Sequence, residues 1–469
     1  MHYAILRLAK GGHGVASCNG KTFFIDDALP GEEGEAEVVD EKPRYGFARV
    51  VRREVTSPLR ALDDACPRAR ACDGCGFRHV KSHEALELKA RAVLAEIAKA
   101  SRVALPEPVF HALPGESLDG QRARVRLHLA EDGALGFYAR GTHRVISACA
   151  CPVMVPELRR AVSWMEADLR LARLPWMAPV DVQLDLDDTG RVFAHFKAGE
   201  TGRGRKGRGA RTGGNAVTFG RVWREWAHHA VDNEHLAGVR LGDREDGAGE
   251  KCLRATVAPD GLPPVVTWRR PGDFAQATGA ANAIIHTLLD AFLVRHAPNH
   301  VADLFAGSGN LTFRAATRVP QVDGYELFCD SGCFERGLHD NASVMRDPSR
   351  VSLRVCDLTR ALPSEASRAE MLICDPAREG LSAALCEHIL SCSARALFYV
   401  SCEASCLARD LVTLSRGFHV EAMHFIDMFP QTPHVETVCV LVRKKHLYID
   451  VKCGQKGVKK AQYSDHRWM

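Results

Sequence analysis

Four stretches of this 469-residue chain place nucleophilic, acidic or thiol side chains at spacings that chemistry uses. In FYVSCEASCLARD (398–410), Cys402 closes an apolar, strand-like run and Cys406 falls one turn into the helical segment after it. A thiol at such a junction is either a small core residue or a nucleophile. The second reading expects the N-terminus of that helix to lower its pKa. A second set is acidic: VDGYELF ends near Glu326, VSLRVCDL at Asp357 and ICDPAREG begins its turn at Asp375, each at the end of an apolar run. A third is ACPRARACDGC (65–75), in which Cys66, Cys72 and Cys75 are spaced x5 and x2. Three close thiols with a distant fourth make a metal site. Zinc usually shows two Cys-x2-Cys pairs, whereas an iron–sulfur cluster takes four thiolates at looser spacing. The fourth thiolate would come from ISACACPVMVPE (146–157), as Cys149 or Cys151. The fourth stretch, VADLFAGSGN (301–310), runs an apolar strand into a glycine turn that opens a helix. Its glycines are not spaced as Gly-x-Gly-x-x-Gly, so a pyrophosphate is not the first ligand to expect.

The elements that must hold these residues alternate. From about Pro271, apolar strand runs (VADLF, VDGYE, VSLRVCD, AEMLICD, ALFYVSC, VETVCVLV) alternate with helical segments, the pattern of a parallel, doubly wound α/β sheet. In such sheets the ligand lies at the carboxyl ends of the strands. Successive strands ending in a small or acidic polar residue at that edge are hard to obtain from core packing alone. Glu326 would meet ribose hydroxyls and Asp357 an adenine amino group. This layout resembles that of class I S-adenosylmethionine-dependent methyltransferases.

The N-terminal half reads differently. Residues 1–56 are short strands cut by turn residues, with Asn19-Gly20 as a hairpin signal, and predict a small β-barrel. Lys10, Lys21, Lys42, Arg44 and Arg49 would give it a basic face, either for RNA or as solvated surface. HEALELKARAVLAEIAK (83–99) has helical spacing, and the helix over 82–100 is expected to pack on the catalytic domain. Residues 120–200 alternate as strands around one helical run near 157–172. The run 199–214, GETGRGRKGRGARTGG, carries five Arg or Lys against one Glu and is either a phosphate-binding arm or a solvated insertion. The division expected is a barrel over 1–56, a β-rich central domain over 57–268, a catalytic domain over 269–445 and a tail over 446–469.

Composition bounds the rest. With 46% hydrophobic and 26% charged residues and no long apolar run, the chain has no membrane helix to offer. The start, MHYAILRLAKGGHG, lacks a signal-peptide pattern, so a cytoplasmic location is expected. Seventeen cysteines in a reducing compartment favour thiol chemistry or metal ligation over disulfides. A net charge of +4 is compatible with nucleic acid without requiring it.

DPAREG, YVSCEASCLARD and FIDMFPQTPHVET (425–437), in that order, with PGDFAQATGAAN (271–282) ahead of the glycine loop, resemble the signature motifs of the RNA uracil-5-methyltransferase family. The resemblance implies Cys402 as the nucleophile that adds to uracil C6 and Glu436 as the base that removes the C5 proton. It also implies Phe274 and Asp375 at the uracil, and Gln276, Phe305, Asn310, Glu326 and Asp375 at S-adenosylmethionine; Asp357 is an addition from strand position alone. Residues 10–32 resemble the core of a TRAM domain, an RNA-binding barrel. The Cys66, Cys72, Cys75 and Cys151-Pro152 pattern is similar to the 4Fe-4S site of the ribosomal branch of the family. The implied activity is methylation of 23S rRNA uridine by a monomer, with tRNA as the alternative substrate and a non-catalytic RNA-binding or redox-sensing iron–sulfur protein as a third reading. One departure stands out: Glu403, Ala404 and Ser405 follow Cys402 where the family usually has Asn-Pro-Ala.

Overall fold

The computed structural model describes residues 1–61, 66–69, 71–115, 119–172, 174, 180–198, 219–243 and 246–444. The glycine–arginine run 199–214 and the tail 446–469 lie outside them. At the N-terminus, turn residues cut the chain into β1 (His2–Ala4), β2 (Arg7–Leu8), β3 (Gly14–Cys18), β4 (Lys21–Asp26), β5 (Glu33–Glu41) and β6 (Tyr45–Val55), one sheet in the order β1-β5-β6-β4-β3-β2. Asn19 and Gly20 both take positive φ, 52° and 73°, and close the two-residue hairpin between Cys18 and Lys21. Alternation along the strands gathers Tyr3, Ile5, Phe23, Ile25 and Ala48 into a small core.

The outer surface of this module corrects the expected basic face. Lys21 pairs with Glu41, Lys42 with Asp40 and Arg49 with Glu37. The partners come from β5, EGEAEVVDE, whose acids lie beside the strand that carries the arginines. Lys10 points away from the barrel, to Glu403 and Glu96.

The next elements divide their allegiance. Helix α1 (Ser82–Ser101) and strand β7 (Pro108–His111) follow the cysteine loop in sequence, but both join the C-terminal layer. A seven-stranded sheet then forms in the order β10-β9-β8-β11-β12-β13-β14. Its strands are β8 (Arg124–Leu129), β9 (Leu135–Tyr138), β10 (Val145–Ser147), β11 (Val180–Leu186), β12 (Val192–Ala198), β13 (Gly238–Leu241) and β14 (Asp246–Gly249). Helices α2 (Pro156–Ala172) and α3 (Arg221–Asp232) pack on it through Val162, Met165, Trp223 and Trp226. A hairpin, β15 (Leu253–Val257) and β16 (Val265–Arg269), leads out of this layer.

The C-terminal half runs α4 (Gly279–His296), β17 (His300–Leu304), α5 (Asn310–Ala316), β18 (Gln321–Glu326), α6 (Ser331–Asn341), β19 (Val351–Val355), β20 (Met371–Cys374), α7 (Ala383–Ser391), β21 (Ala396–Ser401), α8 (Ala404–Leu414), β22 (Phe418–Ile426) and β23 (Glu436–Arg443). Its sheet has the order β19-β18-β17-β20-β21-β23-β22-β7, with one core layer on each face. Strands β17 to β21 are parallel, as the buried apolar runs predict. VETVCVLV differs: as β23 it runs antiparallel to both β21 and β22. The reason is the connection. The segment joining β22 to β23 is a loop of nine residues (427–435) with no helix in it, too short for a parallel crossover.

Lys89 shows how α1 became part of this layer. It is buried in the middle of a helix, with Nζ 2.5 Å from Asp427 Oδ1 and donating to the carbonyls of Phe429 and Thr432 at 3.1 and 3.2 Å. Burial pulls its pKa down while Asp427 opposes the fall. The ammonium therefore nails the β22–β23 loop to α1. Lys89→Ala would leave Asp427 as an uncompensated buried charge. It is expected to destabilise the protein by about 3–5 kcal/mol in denaturant melts, with Lys89→Met/Asp427→Asn recovering much of the loss; an unchanged midpoint for the single variant would remove this role.

Candidate active site

The β21–β23 register sets the geometry. Ser401 lies opposite Thr437 as the last pair of the ladder, and the next residues outward are Cys402 and Glu436, near enough for the Glu436 carboxyl to act on the thiol. This happens at the carboxyl edge of the parallel strands, where β20 ends and Asp375 begins its turn. Glu436 is 4% exposed, so it is no surface residue at a strand start.

The electrostatics tie these groups together. Burial pushes the Cys402 thiol up to about 12, with the Glu436 and Asp375 carboxyls acting in the same sense and Arg378 opposing. Burial first, then Asp375, holds Glu436 well above the usual carboxylate range, again against Arg378. Burial raises Asp375 to about 7 although Gln276 Nε2 donates to its Oδ2 at 2.9 Å. This overturns the expected lowering of the Cys402 pKa. The residue precedes the N-cap of α8, which is Glu403, and burial with neighbouring carboxyls outweighs the helix end.

Next to this group is a cleft lined by Arg124, Phe274, Gln276, Asn282, Asp303, Phe305, Gly307, Asn310 and Asp375, with Thr256, Thr267 and Arg269 from the β15–β16 hairpin on one wall. Phe274 is 67% exposed, with the Arg124 guanidinium 5.9 Å from its ring centre, leaving an aromatic face free to stack. Arg124 itself, pulled down to about 10 mainly by burial, donates to the carbonyls of Asp273 and Ala275 at 2.5 and 3.0 Å and so holds the PGDF turn. Phe305 takes φ 67°, a left-handed conformation that is costly for an aromatic residue and is maintained only where surroundings enforce it. Here Phe305 and Ala306 both donate their N–H to the Tyr325 carbonyl, at 2.9 and 3.0 Å. Gly309, at φ 92°, has no room for a Cβ: one would stand 2.8 Å from the Phe313 ring.

The remaining predicted residues are placed unequally. Glu326 ends β18 and accepts from the Gly307 N–H at 3.0 Å, bracing the glycine turn. Asn310 exchanges side-chain hydrogen bonds with Asn282 at 2.9 and 3.1 Å and faces His286 at 3.0 Å. Asp357 is not brought to the cleft lining; its carboxylate caps a turn at Thr359 and pairs with Arg360. Sequence reasoning missed Arg378, although DPAREG offers a cation three residues after the strand-end acid. It also missed Asp303, whose carboxyl burial raises to about 7. Asp303 Oδ2 accepts from Thr312, while Oδ1 is buried in the cleft wall with no partner. An orphaned acceptor there fits an amine-bearing ligand such as S-adenosylmethionine.

Glu403 explains the departure after Cys402. Its carboxylate caps α8 by accepting from Ser405 N–H and Oγ at 3.2 and 2.6 Å, and Lys10 of the barrel contacts it. Glu403 thus caps α8 and ties its start to the N-terminal module.

Cys66, Cys72, Cys75 and Cys151 lie within electrostatic reach of one another. Burial raises Cys72, Cys75 (to about 12) and Cys151, and each feels the charge of at least one other member; Cys66 acts on both Cys72 and Cys151. Cys149 turns away to Glu166, 3.5 Å off. The Gly74 N–H reaches Cys72 Sγ at 3.3 Å, and Arg122 lies beside Cys75 and Cys151. Among the described residues, no three metal-binding side chains have closed to ligand spacing.

A sheet in which β19-β18-β17-β20-β21 are parallel and β23 runs antiparallel between β21 and β22, with a glycine turn after β17 and acids at the carboxyl edge, defines a class I S-adenosylmethionine-dependent methyltransferase. The tRNA (Uracil-5-)-methyltransferase family model matches residues 360–445, and the TRAM domain model matches residues 4–51. The 23S rRNA (uracil(1939)-C(5))-methyltransferase RlmD of Chromohalobacter salexigens is 33% identical, over 94% of this chain and 89% of its own. The enzyme of that name from Pseudomonas aeruginosa UCBPP-PA14 is 30% identical, over 93% and 92%. In fold, the chain is similar to the Pyrococcus abyssi tRNA (uracil-54, C5)-methyltransferase solved with S-adenosyl-L-homocysteine: TM-score 0.64, 19% identity, 94% of this chain and 99% of that one. The chain belongs to the RNA uracil-C5-methyltransferase family, and it is an S-adenosylmethionine-dependent enzyme.

Because Cys402 is held as a thiol, its thiolate fraction should climb with pH. Alkylation of Cys402 by iodoacetamide in the free enzyme, measured by peptide mass spectrometry, is expected to accelerate about tenfold per pH unit between roughly 7 and 10. A plateau below about pH 8 would contradict the raised pKa.

Proposed function

We propose that the protein methylates C5 of a uridine in 23S rRNA, forming 5-methyluridine through a covalent Cys402 adduct. The observation that carries this is that Cys402 and Glu436, just past the last pair of the β21–β23 ladder, lie within electrostatic reach of one another, of Asp375 and of Arg378. The barrel over 1–56 and the central segment over 57–268 grip the RNA, and the target base leaves its stack to reach the edge of the sheet. Phe274 stacks on it and Asp375, held by Gln276, orients it. Uracil C5 is a poor nucleophile; once the Cys402 thiol has lost its proton to solvent, addition of the thiolate to C6 makes an enolate whose C5 can attack. Arg378 lies where it favours both the thiolate and the developing negative charge. S-adenosylmethionine supplies an electrophilic methyl group when bound, with Gln276, Asp303, Phe305, Asn310 and Glu326 as the residues that would hold it or brace its turn. Glu436 then takes the C5 proton, and the C6–sulfur bond breaks to regenerate Cys402. A buried carboxyl with a raised pKa is suited to that proton transfer.

Cys66, Cys72, Cys75 and Cys151 would hold a 4Fe-4S cluster. Their mutual electrostatic influence, the N–H directed at Cys72 and the buried Arg122 beside Cys75 and Cys151 support this set over one with Cys149. When bound, the cluster supplies a four-thiolate link between the 66–75 loop and the turn at Cys151. Together with the barrel it favours ribosomal RNA over tRNA as substrate. The reading is of a cytoplasmic monomer.

Labelled S-adenosylmethionine with bulk RNA from a host lacking 5-methyluridine should mark 23S rRNA; Cys402→Ala should abolish the label, while label in tRNA alone would change the substrate and keep the chemistry. Glu436→Gln is expected to accumulate a denaturant-stable protein–RNA adduct and to lose turnover by at least about 100-fold; rapid turnover would exclude Glu436 as the base. Anaerobic purification should give a brown protein with about four irons per chain, reduced in Cys151→Ser and kept in Cys149→Ser.

A further inference from the structure

Two thiols outside both sites stand in contact. Cys252 and Cys333 are 81 residues apart in sequence, and their Sγ atoms are 2.7 Å apart. Cys252 immediately precedes β15, whereas Cys333 lies in the first turn of α6, where its N–H donates to the Asp330 carboxylate at 2.9 Å. They join two pieces of chain with different origins: the hairpin leaving the central layer and a helix of the methyltransferase sheet. The same face is pinned again near the other end of α6, where Asn341 accepts from Val266 N–H at 2.8 Å and donates to its carbonyl at 2.7 Å, and Trp268 Nε1 donates to Asp340 at 3.0 Å. With the backbones held at that end, the two sulfurs have no large movement to make. Other hairpin residues, Thr256, Thr267 and Arg269 among them, line the cofactor cleft.

The two sulfurs are not equivalent. Cys333 is 1% exposed and Cys252 half-buried. The contact with Cys333, with Arg336 and Arg270 nearby, lowers the Cys252 pKa against burial and Asp330, while the same contact raises that of Cys333. Cys252 is therefore both the sulfur that ionises and the one a small oxidant can reach.

We propose that Cys252 and Cys333 are a site of reversible disulfide formation that locks the β15–β16 hairpin onto α6 behind the cofactor cleft. The oxidant is a peroxide. The Cys252 thiolate attacks its O–O bond, becoming a sulfenic acid and releasing water after protonation. The Cys333 sulfur then displaces the hydroxyl, the S–S bond forms and a second water leaves with the thiol proton. The two sulfurs together lose two electrons, and hydrogen peroxide becomes two waters. A dithiol reductant reverses the bond by exchange. The reduced form is the resting state of a protein in a reducing compartment.

The test uses the full-length protein, treated with stoichiometric hydrogen peroxide, quenched with an alkylating agent and mapped by non-reducing peptide mass spectrometry. The expected product joins the peptides that contain Cys252 and Cys333, is roughly 2 Da lighter than the two thiol peptides together, and disappears with dithiothreitol. Oxidation should raise Tm in the wild type, reversibly, and leave it unchanged in Cys252→Ser. Recovery of both cysteines as separately alkylated or over-oxidised peptides, or linked to other cysteines instead, would overturn the proposal; the wild-type map decides this even if the variant folds poorly.

Discussion

The candidate site rests on one backbone constraint, the antiparallel pairing of β23 with β21 in a sheet whose preceding strands are parallel. A parallel strand at that position would carry its own carboxyl end to the ligand edge, and its first residue would lie at the opposite edge. Because β23 enters from the ligand edge, its first residue, Glu436, meets the residue just past the end of β21, which is Cys402. Two groups that sequence separates are thus brought together at the end of a ladder of main-chain hydrogen bonds. The nine-residue loop 427–435 between β22 and β23 is what allows the reversal, and much of the rest of the molecule holds that loop. Lys89 binds it from α1, Thr278 Oγ1 donates to the Met428 carbonyl, and Phe77 N–H donates to the carbonyl of Gln431.

The site is built with its acids protonated more readily than usual and its thiol ionised less readily. Burial does this in each case, and the carboxyls of Asp375 and Glu436 add to it at the thiol, as Asp375 does at Glu436. A thiolate kept scarce in the free protein is shielded from adventitious alkylation and oxidation. Arg378 is the cation that acts against the trend at both Cys402 and Glu436.

The domains are also less separable than their order in the chain implies. Helix α1 packs on the methyltransferase layer as its sequence led one to expect, and β7, read as part of the central segment, joins the same sheet by pairing with β22. The segment carrying Cys75 continues into Phe77, which bonds the catalytic loop, and Arg122, beside Cys75 and Cys151, lies with its guanidinium 5.6 Å from the centre of the Phe429 ring. The thiol group is therefore mechanically continuous with the loop that presents Glu436. Lys10 and Glu403 make a similar link from the barrel to the start of α8.

The resemblance of its motifs to those of the family marked Cys402, Glu436, Phe274 and Gln276; what residue patterning determined by itself is local: where apolar runs make buried strands, where Asn19-Gly20 turns and which acids end strands. These depend on side-chain periodicity and on turn chemistry, which act over a few residues. The tertiary structure decided the direction of β23, the addition of β7 to the distant sheet, the pairing of Lys21, Lys42 and Arg49 with acids of β5, the turn-capping role of Asp357 and the raised pKa of Cys402. It also brought Arg378 and Asp303 into the site. Each of these depends on which surfaces are buried against which and on the sum of charges around a desolvated group, quantities set by residues tens to hundreds of positions apart.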